Sequence, residues 1–217
     1  MEPFRYIPTV RRNWVTLFIY YGMRALVLFA SAAFLYEGDI AAAGGSMLIF
    51  FLMLAPSILK RRYRLFLPFA LDLGIVTFIF GTLFLGHLLK FYDKVPLWDK
   101  FLHFESGLIL GASGFVLIYI LNEHESTSLD LSPSFVALFA IAFSVLIGVA
   151  WEMFEFAGDT ILGSQWQASN ADTMYDLMAD LCGAVIVSGV GYVWMRVKER
   201  LPLTPLKFRN WRSLLEK

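Results

Sequence analysis

The chain has 217 residues, of which 58% are hydrophobic, 17% aromatic and 17% charged, and its formal net charge is zero. A soluble domain of this size cannot hide so much apolar side chain, and a balanced charge gives no global attraction to nucleic acid. A single cysteine, Cys182, excludes an intramolecular disulfide and a cysteine-based zinc cage.

The apolar residues fall in blocks long enough to cross a bilayer, divided by short polar stretches. They predict an all-α fold, a polytopic membrane protein with about six transmembrane helices in one bundle, because only a helix satisfies its own backbone in lipid. A cytoplasmic arm is expected over 1–13, the six-helix domain over 14–197 and a basic tail over 198–217. In chain order the spans are expected near Trp14 to Tyr36, Ile40 to Leu59, Leu65 to Leu89, Asp99 to Leu121, Ser134 to Ala157 and Asp176 to Val197. The first apolar run is long for a signal-peptide core and is expected to be an uncleaved anchor. Glycines within the spans predict close helix packing.

Basic residues cluster at Arg5, Arg11 and Arg12, at Lys60, Arg61, Arg62 and Arg64, and at Arg196, Lys198, Arg200, Lys207, Arg209 and Arg212. With six spans these clusters share one side, which the excess of positive charge in cytoplasmic loops makes cytoplasmic. Both termini are then expected on the cytoplasmic side. The outer connection from Gly158 to Tyr175 contains no Lys or Arg, whereas Lys90, Lys94 and Lys100 lie on the outer side against the trend.

That topology sends polar residues of three spans to one leaflet. Asp99, Lys100 and His103 open the fourth span, Glu152, Glu155 and Asp159 close the fifth, and Asp172, Asp176 and Asp180 lead into the sixth. Spacings of three, four, seven and eight residues keep each set on one helix face. Taken singly, each has a plain account as a helix cap, a partner of the helix dipole or a snorkelling lysine. Together they form a candidate site, because Glu152 and Asp180 lie deep enough that an ionised carboxylate needs a cavity or a partner.

Carboxylates with an imidazole supply ligands for a divalent cation, with His103, Glu152, Glu155, Asp176 and Asp180 as candidate ligands. Asp99, Lys100, His103, Glu152, Glu155, Asp172 and Asp176 are candidates for catalysis, either metal-assisted on a lipid or lipid-linked substrate or by acid/base chemistry without metal. A cation or proton path, a transporter for a basic solute and a non-catalytic scaffold remain open. Ser106 lacks the surroundings of a nucleophile and is expected to serve packing, Arg24 is expected to pair with Asp72, and Glu105, which points away from His103, has His87 only as a candidate partner.

The run Trp98-Asp99-Lys100-Phe101-Leu102-His103-Phe104, the segment Trp151-Glu152-Met153-Phe154-Glu155-Phe156, and Gly163-Ser164-Gln165 followed by Asp172-Thr173, Asp176 and Gly183-Ala184 resemble the YjdF family of bacterial inner-membrane proteins. They are similar, more distantly, to VanZ-like proteins, which are associated with tolerance of glycopeptide antibiotics. The resemblance covers about Phe91 to Gly191 and implies a polytopic inner-membrane protein, with Asp99, His103, Glu152, Glu155, Asp172 and Asp176 in the family pattern. It hints at cell-envelope biology and assigns no reaction.

A cysteine introduced by Ser169→Cys should react with an impermeant thiol reagent applied from outside, and one introduced by Arg62→Cys should not. The reverse labelling pattern would invert the orientation.

Overall fold

A computed structural model describes residues 13–63, 67–122 and 131–204. The terminal basic residues Arg5, Arg11, Arg12, Lys207, Arg209 and Arg212, with Arg64 and the acidic connection after Asn122, lie outside the described residues. The helices are α1 (Trp14–Tyr36), α2 (Ile40–Tyr63), α3 (Phe69–Ile79), α4 (Phe91–Lys94), α5 (Trp98–Asn122), α6 (Pro133–Leu162) and α7 (Asn170–Lys198). Counting α3 together with the π-helical turn that extends it, six of them are long and apolar enough to cross a membrane.

Local chemistry explains where these helices differ from the expected spans. Helix α2 runs past Pro56 to Tyr63. After Ile79, α3 widens into a π-helix over Phe80–Leu88, a change that an apolar block does not announce. There the Gly81 carbonyl accepts from Trp98 Nε1 at 3.3 Å, while a Cβ at Gly86 would lie 2.4 Å from the Tyr92 ring. Burial and the nearby charge of Asp99 push the Tyr92 hydroxyl up to about 12, so it stays protonated in the α4 turn. Helix α6 continues to Leu162 and stops at Gly163, whose φ of 67° is the left-handed conformation that ends helices. Helix α7 begins six residues before Asp176, because Ser169 Oγ caps it by accepting from the Asp172 backbone N–H at 3.1 Å.

The bundle has two three-helix halves. Tyr20, Val27, Ile49, Met53, Val76 and Phe84 form the core of α1, α2 and α3, and Phe115, Tyr119, Val136, Ala140 and Met195 form that of α5, α6 and α7. Leu71, Ala112 and Val116 join the halves along a seam between α3 and α5. At that seam Thr77 Oγ1 donates to Glu105 Oε1 at 2.7 Å, while His87 is exposed and its ring lies 4.9 Å from that of Tyr92. The candidate Glu105–His87 pair is therefore not seen among the described residues, since Glu105 turns to Thr77 and His87 to Tyr92.

Arg24 and Asp72 are both buried, but they do not touch as an ion pair. The Tyr20 hydroxyl lies between them, 3.1 Å from each Asp72 oxygen and 2.8 Å from Ser57 Oγ. The Arg24 guanidinium stacks 4.0 Å from the centre of the Tyr20 ring and donates to the Met53 carbonyl. The expectation of direct pairing is corrected because the aromatic ring fills the gap that the two charges would have to close.

Tyr20→Phe keeps the ring beneath Arg24 but removes the hydroxyl that donates to the Asp72 carboxylate. It should lower the stability of the detergent-solubilised protein by about 2 kcal/mol, the order of a hydrogen bond to a charged group. Equilibrium unfolding in mixed micelles measures the difference, and direct Arg24–Asp72 pairing would leave it near zero.

Candidate functional site

Helices α5 and α7 enter the bundle from the same end and α6 returns to it, so the polar starts of two helices meet the polar finish of the third. Small residues let the backbones close up just beneath. A Cβ at Gly107 would lie 2.2 Å from the Asp180 carbonyl oxygen, one at Gly183 would lie 2.3 Å from that of Phe104, and one at Gly148 would lie 2.6 Å from Asp180 Oδ2. Ser144 Oγ donates to the Gly107 carbonyl at 3.2 Å on the same level. Glycine at these points allows contact that any larger side chain would block.

Asp180 forms the floor of the site. Among the largest buried side chains it is 1% exposed, and its Oδ2 accepts from His103 Nδ1 at 3.1 Å while its Oδ1 accepts from Ser106 Oγ. Ser106, expected to serve packing, thus has a polar task. A carboxylate can only accept, so Nδ1 carries a proton, and the ring turns Nε2 the other way. Nε2 faces Glu152 Oε1 at 3.8 Å, Asp176 Oδ1 at 3.8 Å and Asp99 Oδ1 at 3.9 Å. These separations are too long for hydrogen bonds.

Lys100 lies above this floor. Its Nζ is 2.5 Å from Asp172 Oδ1, 2.7 Å from Asp176 Oδ1 and 3.0 Å from Asp99 Oδ2. Five carboxylates therefore face one lysine and one histidine. Exposure is graded, from 41% for the Asp99 side chain and 28% for Asp172 at the mouth to 5% for Glu152 and 4% for Asp176 below. Glu152 Oε1 is buried with no hydrogen-bond partner, although Glu152 Oε2 accepts from Gln167 Nε2 at 3.2 Å. Donor atoms of Asp99, His103 and Asp176 all lie within 4.8 Å of one another.

The remaining sequence candidates stand to one side. Glu155 accepts from Trp151 Nε1 at 3.0 Å along its own helix, and among the described residues no ion pair joins it to His103. Asp159 accepts from Ser164 Oγ at 2.8 Å and from the backbone N–H groups of Trp166 and Gln167 at 2.8 and 3.0 Å. It folds the loop after α6, and that fold delivers Gln167 to Glu152. Nothing in the spacing of the polar residues marks Gln167, whereas Ser106 was detectable three residues after His103 on the same face.

The chain belongs to a family described as a predicted membrane protein family, DUF2238, whose match runs over residues 15–197 and so takes in all six spans. An uncharacterized protein of Thermotoga maritima is 30% identical over 139 residues, which cover 64% of this chain and 70% of that relative. No solved structure matches the chain.

Gly107→Ala should destabilise the protein by about 2 kcal/mol or more, since the added methyl meets backbone that cannot give way. Gly44, with nothing within 4 Å of a Cβ, is the control. Gly44→Ala should be neutral or stabilising by up to about 1 kcal/mol through helix propensity. Unfolding of both variants in the same detergent checks the pair, and equal effects would remove the close-packing account of the floor.

Proposed function

We propose that this member of the DUF2238 family is a metal-dependent enzyme of the bacterial inner membrane, acting from the extracytoplasmic leaflet on a lipid or lipid-linked substrate of the cell envelope. The observation that carries the metal reading is the aim of His103 Nε2 at three carboxylate oxygens 3.8–3.9 Å away, one of which, Glu152 Oε1, is buried without a hydrogen-bond partner. Anionic oxygens gathered around a ring nitrogen call for positive charge between them, from a proton on Nε2 or from a metal ion, and a proton would draw one of the oxygens into hydrogen-bonding range. Two ligands of one zinc ion lie at most about 4.2 Å apart, the sum of typical Zn–N and Zn–O distances. The observed gap fits within that limit and exceeds hydrogen-bonding range.

Asp99, His103, Glu152 and Asp176 would hold the ion, and Asp180 would orient the imidazole from behind as carboxylates do in carboxylate–histidine–metal arrangements. One nitrogen and three oxygens, without sulfur, suit Zn²⁺, Mn²⁺ or Fe²⁺. Bound there, such an ion would polarise a substrate oxygen or lower the proton affinity of a water. Ser106 fixes Asp180, Gln167 holds Glu152 Oε2, and the half-exposed Asp99 leaves the mouth open for substrate.

The closed floor favours chemistry over passage. Gly107, Gly148 and Gly183 bring three helices into contact around Asp180, so the site is a cup opening at one end of the bundle. Lys60, Arg61 and Arg62 at the end of α2 and Arg196 and Lys198 at the end of α7 gather at the opposite end, which supports a cytoplasmic assignment for that end.

Zn²⁺ or Mn²⁺ should raise the unfolding temperature of chelator-treated protein in detergent. Glu152→Gln, Asp176→Asn and His103→Gln should each weaken binding at least about tenfold, the scale for losing a ligand or its support. If no divalent ion stabilises the parent and the three variants are as stable as it is at neutral pH, the metal reading is wrong and the acids are structural or proton-carrying.

A further inference from the structure

We infer that Lys100 is a tethered cation that competes with the metal ion for its own site, and that Asp172 is the acceptor to which it withdraws when metal binds. This rests on the metal reading above. The independent pointer to a ligand in the cluster is Glu152 Oε1, unpartnered in a side chain only 5% exposed and directed at His103 Nε2.

The geometry shows a division of labour among the carboxylates. Asp176 Oδ1 lies 2.7 Å from Lys100 Nζ and 3.8 Å from His103 Nε2, so one oxygen serves both the ammonium and the ligand set. Asp99 is split between them, with Oδ2 3.0 Å from Lys100 and Oδ1 turned to His103. Asp172 takes part in one of the two groupings only: its Oδ1 meets Lys100 at 2.5 Å, and among the described residues no ion pair joins it to His103.

An ion bound to Asp176 Oδ1 would put two positive centres on one carboxylate oxygen, and their repulsion in a poorly screened site would expel the ammonium. The lysine stem is flexible and its head compact, so a short swing suffices. Asp172 is four residues before Asp176 on α7, one turn nearer the mouth and more exposed, which makes it the natural place for the displaced charge. Without metal, Lys100 offsets the mutual repulsion of Asp99, Asp172 and Asp176. With metal, its departure is a cost that sets the affinity threshold of the site.

The test uses the full-length protein in detergent, treated with chelator, with Mn²⁺ binding followed by electron paramagnetic resonance and Zn²⁺ binding by calorimetry. Lys100→Met should tighten binding of both ions by about tenfold or more. Asp172→Asn should do the opposite, because Lys100 then has only Asp99 and Asp176 to hold. In the double variant the effect of Asp172→Asn should largely vanish, since no ammonium remains to be received.

Binding by the parent with Lys100→Met unchanged or weaker would overturn the exchange and leave the metal reading intact. No binding by parent or variant would remove both. Should Lys100→Met fail to fold, Lys100→Gln takes its place in every comparison, and unchanged or tighter binding by Asp172→Asn overturns the exchange in either case. An equal loss from Asp172→Asn with and without Lys100 would reduce Asp172 to a general electrostatic contribution and also overturn it.

Discussion

An ionised carboxylate in a low-dielectric interior costs several kcal/mol unless its oxygens are matched, and Asp180 is where this chain meets that constraint. Its two oxygens are taken by His103 and Ser106, both on α5, so α7 must pack against α5 at a fixed height and rotation. Contact that close needs Gly107 on one helix and Gly183 on the other, and Gly148 on α6 where the carboxylate turns toward it. The register of three helices thus follows from satisfying one side chain. In lipid, where apolar surfaces gain little by packing on each other, such a polar contact fixes geometry that hydrophobicity alone leaves loose.

The same matching recurs with different partners as depth decreases. Asp180 is satisfied by the short side chains of His103 and Ser106, Glu152 by the Gln167 amide on one oxygen only, and Asp99, Asp172 and Asp176 by the ammonium of Lys100. A charge deep in the bundle is held by fixed, short side chains, while charges near the mouth are held by a long flexible one. This grading makes the floor rigid and the mouth adjustable, which suits a site whose ligands must be preorganised and whose opening must admit a substrate.

The six spans were legible because an apolar block of about 20 residues has few alternatives in a bilayer. The convergence of Asp99, His103, Glu152, Asp176 and Asp180 was legible for a related reason: helical spacing gives each set one face, and six crossings give all sets one end. Side-chain direction was not legible in the same way. Arg24 and Asp72 have similar depths, but depth could not say that the Tyr20 ring stands between them. Glu105 and His87 failed as a pair because rotation about α5 sends Glu105 to Thr77, and because the π-helical turn of α3 shifts the face on which His87 emerges. Asp159 has the right spacing to join Glu152, yet a free loop of backbone N–H groups next to it claims its oxygens first.

The first half of the bundle acts on the site through the start of α5. Trp98 immediately precedes Asp99, and its indole donates across to the Gly81 carbonyl within the π-helical turn while its ring contacts Phe91 at 5.2 Å. Leu97 before it has a φ of 61°, a left-handed conformation unfavourable for a branched side chain that persists only when its surroundings enforce it. The contacts of Trp98, the next residue, with the π-helical turn and with Phe91 of α4 fix where α5 begins and how it presents Asp99, Lys100 and His103. A wide turn in α3, seemingly remote from the chemistry, is in this way part of the frame that holds three of the seven side chains of the cup.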